Sequence, residues 1–180
     1  PNDPHIYVMA MFWLPEELLE RRVREDRIPY DLWKDQGYLR TCERNKVRQK
    51  DVTDWFLEVQ NDLDCYIYRG GYDAWSASYW VDEMQETFGK GVFTPVQQTM
   101  KVLSLPMKQL GADFDSKLII YNNNPVLKWC LANTGIVEDK NGNIKPNKTS
   151  KARKRIDGLA ALLDAFVVFQ DCQDDYKSML

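Results

Sequence analysis

The alternation of apolar and polar positions divides the chain into short strands and helices. His5 to Trp13 (HIYVMAMFW) is a continuous apolar run that predicts a buried strand. Pro15 then opens a helix. Proline suits a first helical turn, Glu16 and Glu17 complement the dipole, and Leu18, Leu19 and Val23 form its apolar side. A second short helix is expected from Pro29 to about Gln36, stopped by Gly37, with an extended piece at Tyr38 to Cys42. Asp51 is a suitable N-cap for a helix through about Asn61, in which Trp55, Val59 and Leu63 keep helical spacing.

The second half continues the pattern. Cys65 to Arg69 (CYIYR) is a short β-rich run ending in Gly70-Gly71, and Trp75 to about Phe88 predicts a helix closed by Gly89. Val92 to Val96 and Lys117 to Tyr121 are expected to be extended, with a helix between them from Leu105 to about Phe114 that begins with Pro106. Pro125 to about Asn133 predicts another helix. Asn141-Gly142 is a strong hairpin signal within Ile136 to Lys145. A last helix, about Ser150 to Gln170, carries Ile156, Leu159, Ala160, Leu163, Phe166 and Val167 on one face. Strands mixed with helices in one unit indicate an α/β domain.

Composition narrows the chemistry. With 180 residues, 44% hydrophobic and 28% charged, the chain suits one soluble globular domain, and 6 Trp, 9 Tyr and 7 Phe exclude a disordered one. No apolar run approaches the roughly 20 residues that span a bilayer. The start, Pro1-Asn2-Asp3-Pro4, lacks the pattern of a signal peptide and an initiator Met, which suggests a piece of a longer protein. Cys42, Cys65, Cys130 and Cys172 are scattered and the only histidine is His5. A structural zinc site is therefore not expected, free thiols are, and a nucleophile activated by histidine has almost no material. Any catalysis should use carboxylates.

Net charge is −3, yet Lys145, Lys148, Lys151, Arg153, Lys154 and Arg155 form a stretch free of acids. Such a patch can meet a phosphate backbone, or can be a solvated loop. Two places could carry acid chemistry. Asp73, just past Gly70-Gly71, sits where α/β sheets place ligands, though it could equally cap the helix that follows. Asp157, followed by Gly158, stands early in the last helix, where an acid also favours the dipole. Glycine inside a helix costs about 1 kcal/mol against alanine, so Gly158 implies a close approach. Asp164 lies two turns further along the same face and is solvated, paired or cation-binding. Trp75 and Trp129, both at helical spacing from apolar residues, are expected in the core, and Asn122 to Asn124 in a turn and a cap.

Six segments in order also resemble the large subunit of tailed-bacteriophage terminases. They are Phe12-Trp13-Leu14-Pro15-Glu16; Ile28-Pro29-Tyr30-Asp31-Leu32-Trp33 with Gln36-Gly37-Tyr38-Leu39; Tyr72-Asp73-Ala74-Trp75; Asn123-Asn124-Pro125-Val126-Leu127-Lys128-Trp129; Gly142-Asn143-Ile144-Lys145-Pro146; and Arg155-Ile156-Asp157-Gly158-Leu159-Ala160-Ala161-Leu162. The resemblance is to that subunit's C-terminal nuclease; no GxxxxGK[ST] loop of its ATPase motor is present.

The resemblance implies a ribonuclease H-like fold, a mixed sheet flanked by helices, over residues 1–180. It implies a metal-dependent endonuclease that cuts concatemeric DNA during genome packaging. Asp73 would be the acid after the fourth strand and Asp157 the acid of the last helix, both catalytic and metal-binding, with Asp164 a weaker metal candidate. Hard Mg²⁺ or Mn²⁺ ions prefer oxygen ligands, and two of them roughly 4 Å apart would activate water and stabilise the leaving oxygen. The basic residues Lys145 to Arg155 would hold double-stranded DNA. The whole parent would work with a terminase small subunit and a portal protein in the cytoplasm of a bacterial host.

The family's first strand, which carries a further acid, is not matched here, and Asp3 is not its replacement. An incomplete site, weak or absent nuclease activity and self-association through an open sheet edge are therefore expected. Two alternatives remain: a fragment that binds DNA or packaging proteins without cutting, and another ribonuclease H-like nuclease of resolvase or transposase type.

Overall fold

The computed structural model describes residues 3–75, 77–148 and 154–179, so Lys151 and Arg153 lie outside the described residues. Among the described residues, eight strands and seven α-helices make a mixed α/β fold. The strands form four two-stranded ladders: β1 (Ile6–Tyr7) with β6 (Ile119–Ile120), β2 (Phe12–Pro15) with β3 (Leu39–Cys42), and β4 (Gly70–Asp73) with β5 (Phe93–Val96), all parallel. The fourth, β7 (Thr134–Glu138) with β8 (Ile144–Lys148), is antiparallel. The helices are α1 (Leu19–Asp26), α2 (Tyr30–Asp35), α3 (Gln49–Asp62), α4 (Ser78–Phe88), α5 (Met100–Asp115), α6 (Pro125–Asn133) and α7 (Asp157–Met179).

Local chemistry accounts for most boundaries. Asn124 caps α6 by accepting from the Val126 and Leu127 amides at 3.1 and 3.0 Å, and Pro125 fills the first turn, where no backbone donor is needed. Asn122 and Asn123, at φ 50° and 52°, turn the chain into that cap, as expected. Asp139 builds the hairpin loop by accepting from the Asn141 and Asn143 amides and the Asn143 side chain.

Several boundaries differ from the sequence expectation. The apolar run His5 to Trp13 is two strands, because Ile6–Tyr7 and Phe12–Pro15 pair with different partners. Cys65 to Arg69 is irregular, and the strand is the glycine-led Gly70–Asp73 instead. A short 3-10 turn at Glu16–Leu18 precedes α1. Arg48, not Asp51, stands at the cap of α3, and Asp51 in its first turn pairs with the Arg48 guanidinium at 2.6 Å. Helix α5 starts at Met100, capped by Thr99, so Pro106 lies inside it. The last helix starts at Asp157 rather than Ser150 and runs past Gln170 to Met179.

Three apolar clusters hold the elements together. The first joins α7 (Leu159, Leu163, Phe166, Val168) to α5 (Leu103, Leu110), Val96 and Ile119. The second packs Tyr30, Trp33 and Leu39 on Val126, with Trp129 among the rings as the sequence suggested. The third gathers Met84, Val92 and Phe93 with Phe56, Trp80 and Phe88. A bidentate pair from Arg40 to Glu58, at 2.9 and 2.7 Å, ties β3 to α3. No helix among the described residues is long and apolar enough to cross a membrane.

Candidate functional site

The site is built where β4 lies along α7. Gly70 and Gly71 allow the contact. A Cβ on Gly71 would collide with the backbone carbonyl oxygen of Asp164 and approach Val168 at 2.8 Å, while one on Gly70 would run into the Phe93 ring. Only glycine lets strand and helix come this close. The strand is antiparallel to the helix in direction. The Tyr68 ring meets Tyr176 at 5.6 Å, the Arg69 charge is felt at Cys172, and Gly71 meets Asp164. Each step toward Asp73 thus moves toward the N-terminus of α7.

That geometry brings Asp73 and Asp164 together. Asp73 ends β4, opposite Val96 on β5, and its carboxylate accepts from the Trp75 amide at 3.0 Å, while its carbonyl accepts from the Ala77 amide at 3.1 Å. Those bonds hold the turn into α4, the capping role that the sequence offered for Asp73. Asp164 retains only 4% of its surface. Burial raises its carboxyl to about 6; a hydrogen bond from Gln98 pulls the other way, and the Asp73 charge adds to the rise. The Gln98 side-chain amide donates to Asp164 Oδ1 at 2.8 Å and to the Val96 carbonyl at 3.2 Å. Nothing in the sequence pattern marked Gln98; only its spacing of two residues beyond the strand end could have suggested it.

Asp157 is placed differently. It opens α7 and is exposed, seven residues before Asp164, or roughly 10 Å along the axis at 1.5 Å per residue. Its charge is felt at the Cys130 thiol, which burial pushes up. Gly158 beside it shows the inferred close approach: a Cβ there would stand 3.0 Å from the Phe12 ring and 3.1 Å from Cys130. The Asp73 charge is felt at Asp164, which the motif alone left as the weaker candidate.

Among the described residues, no group of three or more His, Cys, Asp or Glu side chains could hold a metal ion. The two acids still suit a hard cation. A desolvated carboxylate next to a second one is a charge arrangement that Mg²⁺ or Mn²⁺ relieves, and both supply oxygen.

These features, a glycine-led strand ending in an acid and a last helix carrying a buried one, can be set beside known proteins. The sequence matches the family described as terminase large subunit, endonuclease domain, over residues 1–172. The chain belongs to that family. It is 31% identical over 159 residues to the terminase large subunit of Enterobacteria phage HK97, spanning 86% of this chain and 30% of the phage protein. Its structure is similar to the crystal structure of the HK97 bacteriophage large terminase, with a TM-score of 0.81 and 27% identity. That likeness covers 93% of this chain and 34% of the other. The chain thus spans about a third of the length of these relatives.

The remaining expected site residues of this terminase domain fall in two places, on β8, which packs on α5, and just before α7. Lys145 and Lys148 are on β8, partly buried and exposed respectively. Lys154 and Arg155 lead directly into Asp157; the Arg155 carbonyl accepts from Asn133 at 3.3 Å, and its charge reaches Tyr30. Lys154 and Arg155 therefore precede the exposed start of α7. Trp75 is a correction. It is 92% exposed rather than in the core, because α4 begins only at Ser78 and the bonds to Asp73 turn the intervening chain outward. A mainly apolar groove of about 470 Å³, lined by Met107, Leu110, Phe114, Leu131 and Leu159 with Lys108 and Asp115 among its walls, contains none of the three acids.

Proposed function

We propose that this chain is the DNA-cutting part of a phage large terminase, a metal-dependent endonuclease on a ribonuclease H-like frame that cuts concatemeric DNA during packaging. The observation that carries the reading is the buried Asp164 carboxyl held beside Asp73, in a chain of the terminase endonuclease family. Asp73 and Asp164 would hold the cation, with Asp157 as a third acid on the exposed side. A bound Mg²⁺ or Mn²⁺ would supply an activated water and charge stabilisation at the leaving oxygen. Asp73 gives one carboxylate fixed by the Trp75 amide, and Asp164 gives one withdrawn from water by the packing of α7 on β4.

Lys145, Lys148, Lys154 and Arg155, together with Lys151 and Arg153, would bind the phosphate backbone of double-stranded DNA without reading bases. Each phosphate contact removed should lower the salt dependence of binding by about one unit of slope. An open sheet edge beside the N-terminal strands, where β1 pairs only with β6 and β2 only with β3 among the described residues, would accept a further strand or another copy of the chain. The whole terminase would operate with its small subunit and portal in the host cytoplasm.

A second reading is a module that binds DNA without cutting it. The absence of a three-acid group among the described residues favours it. Supercoiled-plasmid nicking separates the two. The endonuclease reading expects nicking with Mn²⁺ that EDTA stops and Asp73→Asn removes. Salt-sensitive binding with no nicking supports the second reading. Neither binding nor nicking would refute both.

A further inference from the structure

Gln98 lies outside the six segments named for the resemblance, yet its side chain links β5 to α7 beside the acid pair. The register of β4 on β5 puts Val96 opposite Asp73. Two residues later, Gln98 donates to the Val96 carbonyl at 3.2 Å and to Asp164 Oδ1 at 2.8 Å. One amide thus joins the strand end beside Asp73 to the buried carboxylate on α7.

The backbone around Gln98 is restrained on both sides. The Thr99 amide donates to the Gln97 carbonyl at 2.8 Å, which closes a tight turn centred on Gln98. Thr99 itself caps α5, accepting from the Val102 amide at 3.4 Å. A glutamine with this anchorage has little freedom to leave Asp164. A carboxylate buried to 4% exposure needs a donor, because an unsatisfied charged group in the interior is costly.

We propose that Gln98 is a positioning residue that fixes the Asp164 carboxylate toward Asp73 and so sets the affinity of the site for a divalent cation. The inference rests on the reading of Asp73 and Asp164 as a cation site. The bond engages Oδ1, which leaves Oδ2 as the oxygen offered to the ion. Outer partners of this kind orient ligating groups, and their loss weakens metal binding by about 10- to 100-fold.

Mn²⁺ titration followed by electron paramagnetic resonance tests the proposal, with thermal melting alongside. Gln98→Met keeps the length of the side chain and removes the donor. Gln98→Asn keeps the amide but is too short to reach. Both are expected to weaken Mn²⁺ binding about 10- to 100-fold while the protein still melts cooperatively. In the unaltered protein, the Gln98 side-chain amide resonance is expected to shift on addition of Mg²⁺. That measurement decides the matter even if both variants fail to fold. Normal Mn²⁺ affinity in either folded variant, or an amide resonance indifferent to Mg²⁺, overturns the role of Gln98 and leaves the cation site standing. If the unaltered chain binds no Mn²⁺ at all, the reading of the acid pair fails, and the inference with it.

Discussion

The two ends of the first half of α7 carry the same chemical group in opposite environments. Asp157 sits in the first turn, exposed, near basic residues and favoured by the helix dipole. Asp164, two turns on, is buried against a glycine strand, next to Asp73 and held by Gln98. The motif puts its weight on Asp157, beside Gly158, and carries no information on burial. Their surroundings distinguish them: an exposed acid is stable without a partner, whereas a buried acid beside another acid is a liability unless something uses it.

That contrast can be broken most severely at the strand. Asp73→Asn is expected to reduce Mn²⁺-dependent plasmid nicking at least about a hundredfold, since loss of a ligand exceeds the roughly 10- to 100-fold cost of losing an outer partner. Asp157→Asn should cost about tenfold or less, consistent with its distance from the pair. Equal losses in a nicking assay would erase the distinction between the two acids.

The glycines give the next effect. Gly71→Ala places a methyl against the Asp164 carbonyl oxygen, a backbone atom that cannot move aside, and should destabilise by about 2–3 kcal/mol. Gly158→Ala meets the Phe12 ring and Cys130 at 3.0–3.1 Å, which side chains can partly relieve, and regains helix propensity. Its cost should be about 1 kcal/mol. Urea melts of the two variants measure the difference, and a larger loss at Gly158 would mean that β4 and α7 are not in the contact described.

The raised carboxyl of Asp164 makes a signed prediction. Folded Asp164 binds its proton more tightly than the unfolded chain does, because burial and the Asp73 charge both raise it to about 6 from 3.8. Its contribution to stability is therefore complete below about pH 4 and is lost as pH rises through about 6. Metal-free Asp164→Asn should then be more stable than the unaltered protein at pH 8, by on the order of 2 kcal/mol, and the advantage should shrink toward pH 4. Thermal melts at the two pH values test this. A substitution that destabilises more at pH 8 than at pH 4 would show that Asp164 is held as a satisfied carboxylate instead.

The smallest effect is expected at Trp75. An indole that is 92% exposed contributes little to folding, so Trp75→Ala should change stability by less than about 0.5 kcal/mol. A loss of several kcal/mol would return Trp75 to the core.

Much of the fold was legible in the chain. Pro125 to Asn133 is helical at both predicted ends, because Asn124 and Pro125 are a cap and a first-turn residue with unambiguous chemistry. The hairpin at Asn141-Gly142 follows from the left-handed conformation that Gly142 adopts at φ 75°. What failed was non-local. Cys65 to Arg69 has strand-forming side chains, yet the ladder to β5 begins at the glycines, because Gly70 leaves room for the Phe93 ring and Gly71 fits against α7. Trp75 had core spacing, but bonds from Asp73 delay the start of α4. The candidate acids Asp73, Asp157 and Asp164 were all named from the chain alone. Asp73 and the close approach at Gly158 could be read from glycine placement, whereas Asp164 and Gln98, 66 residues apart in sequence, meet only in the folded chain.

The most direct test is Mn²⁺ affinity measured on three single variants, Asp73→Asn, Asp164→Asn and Asp157→Asn, each confirmed to be folded. The account predicts that the first two lose specific Mn²⁺ binding and that the third keeps most of it. Intact binding in Asp164→Asn together with lost binding in Asp157→Asn would contradict it, and would move the metal site to the exposed end of the helix.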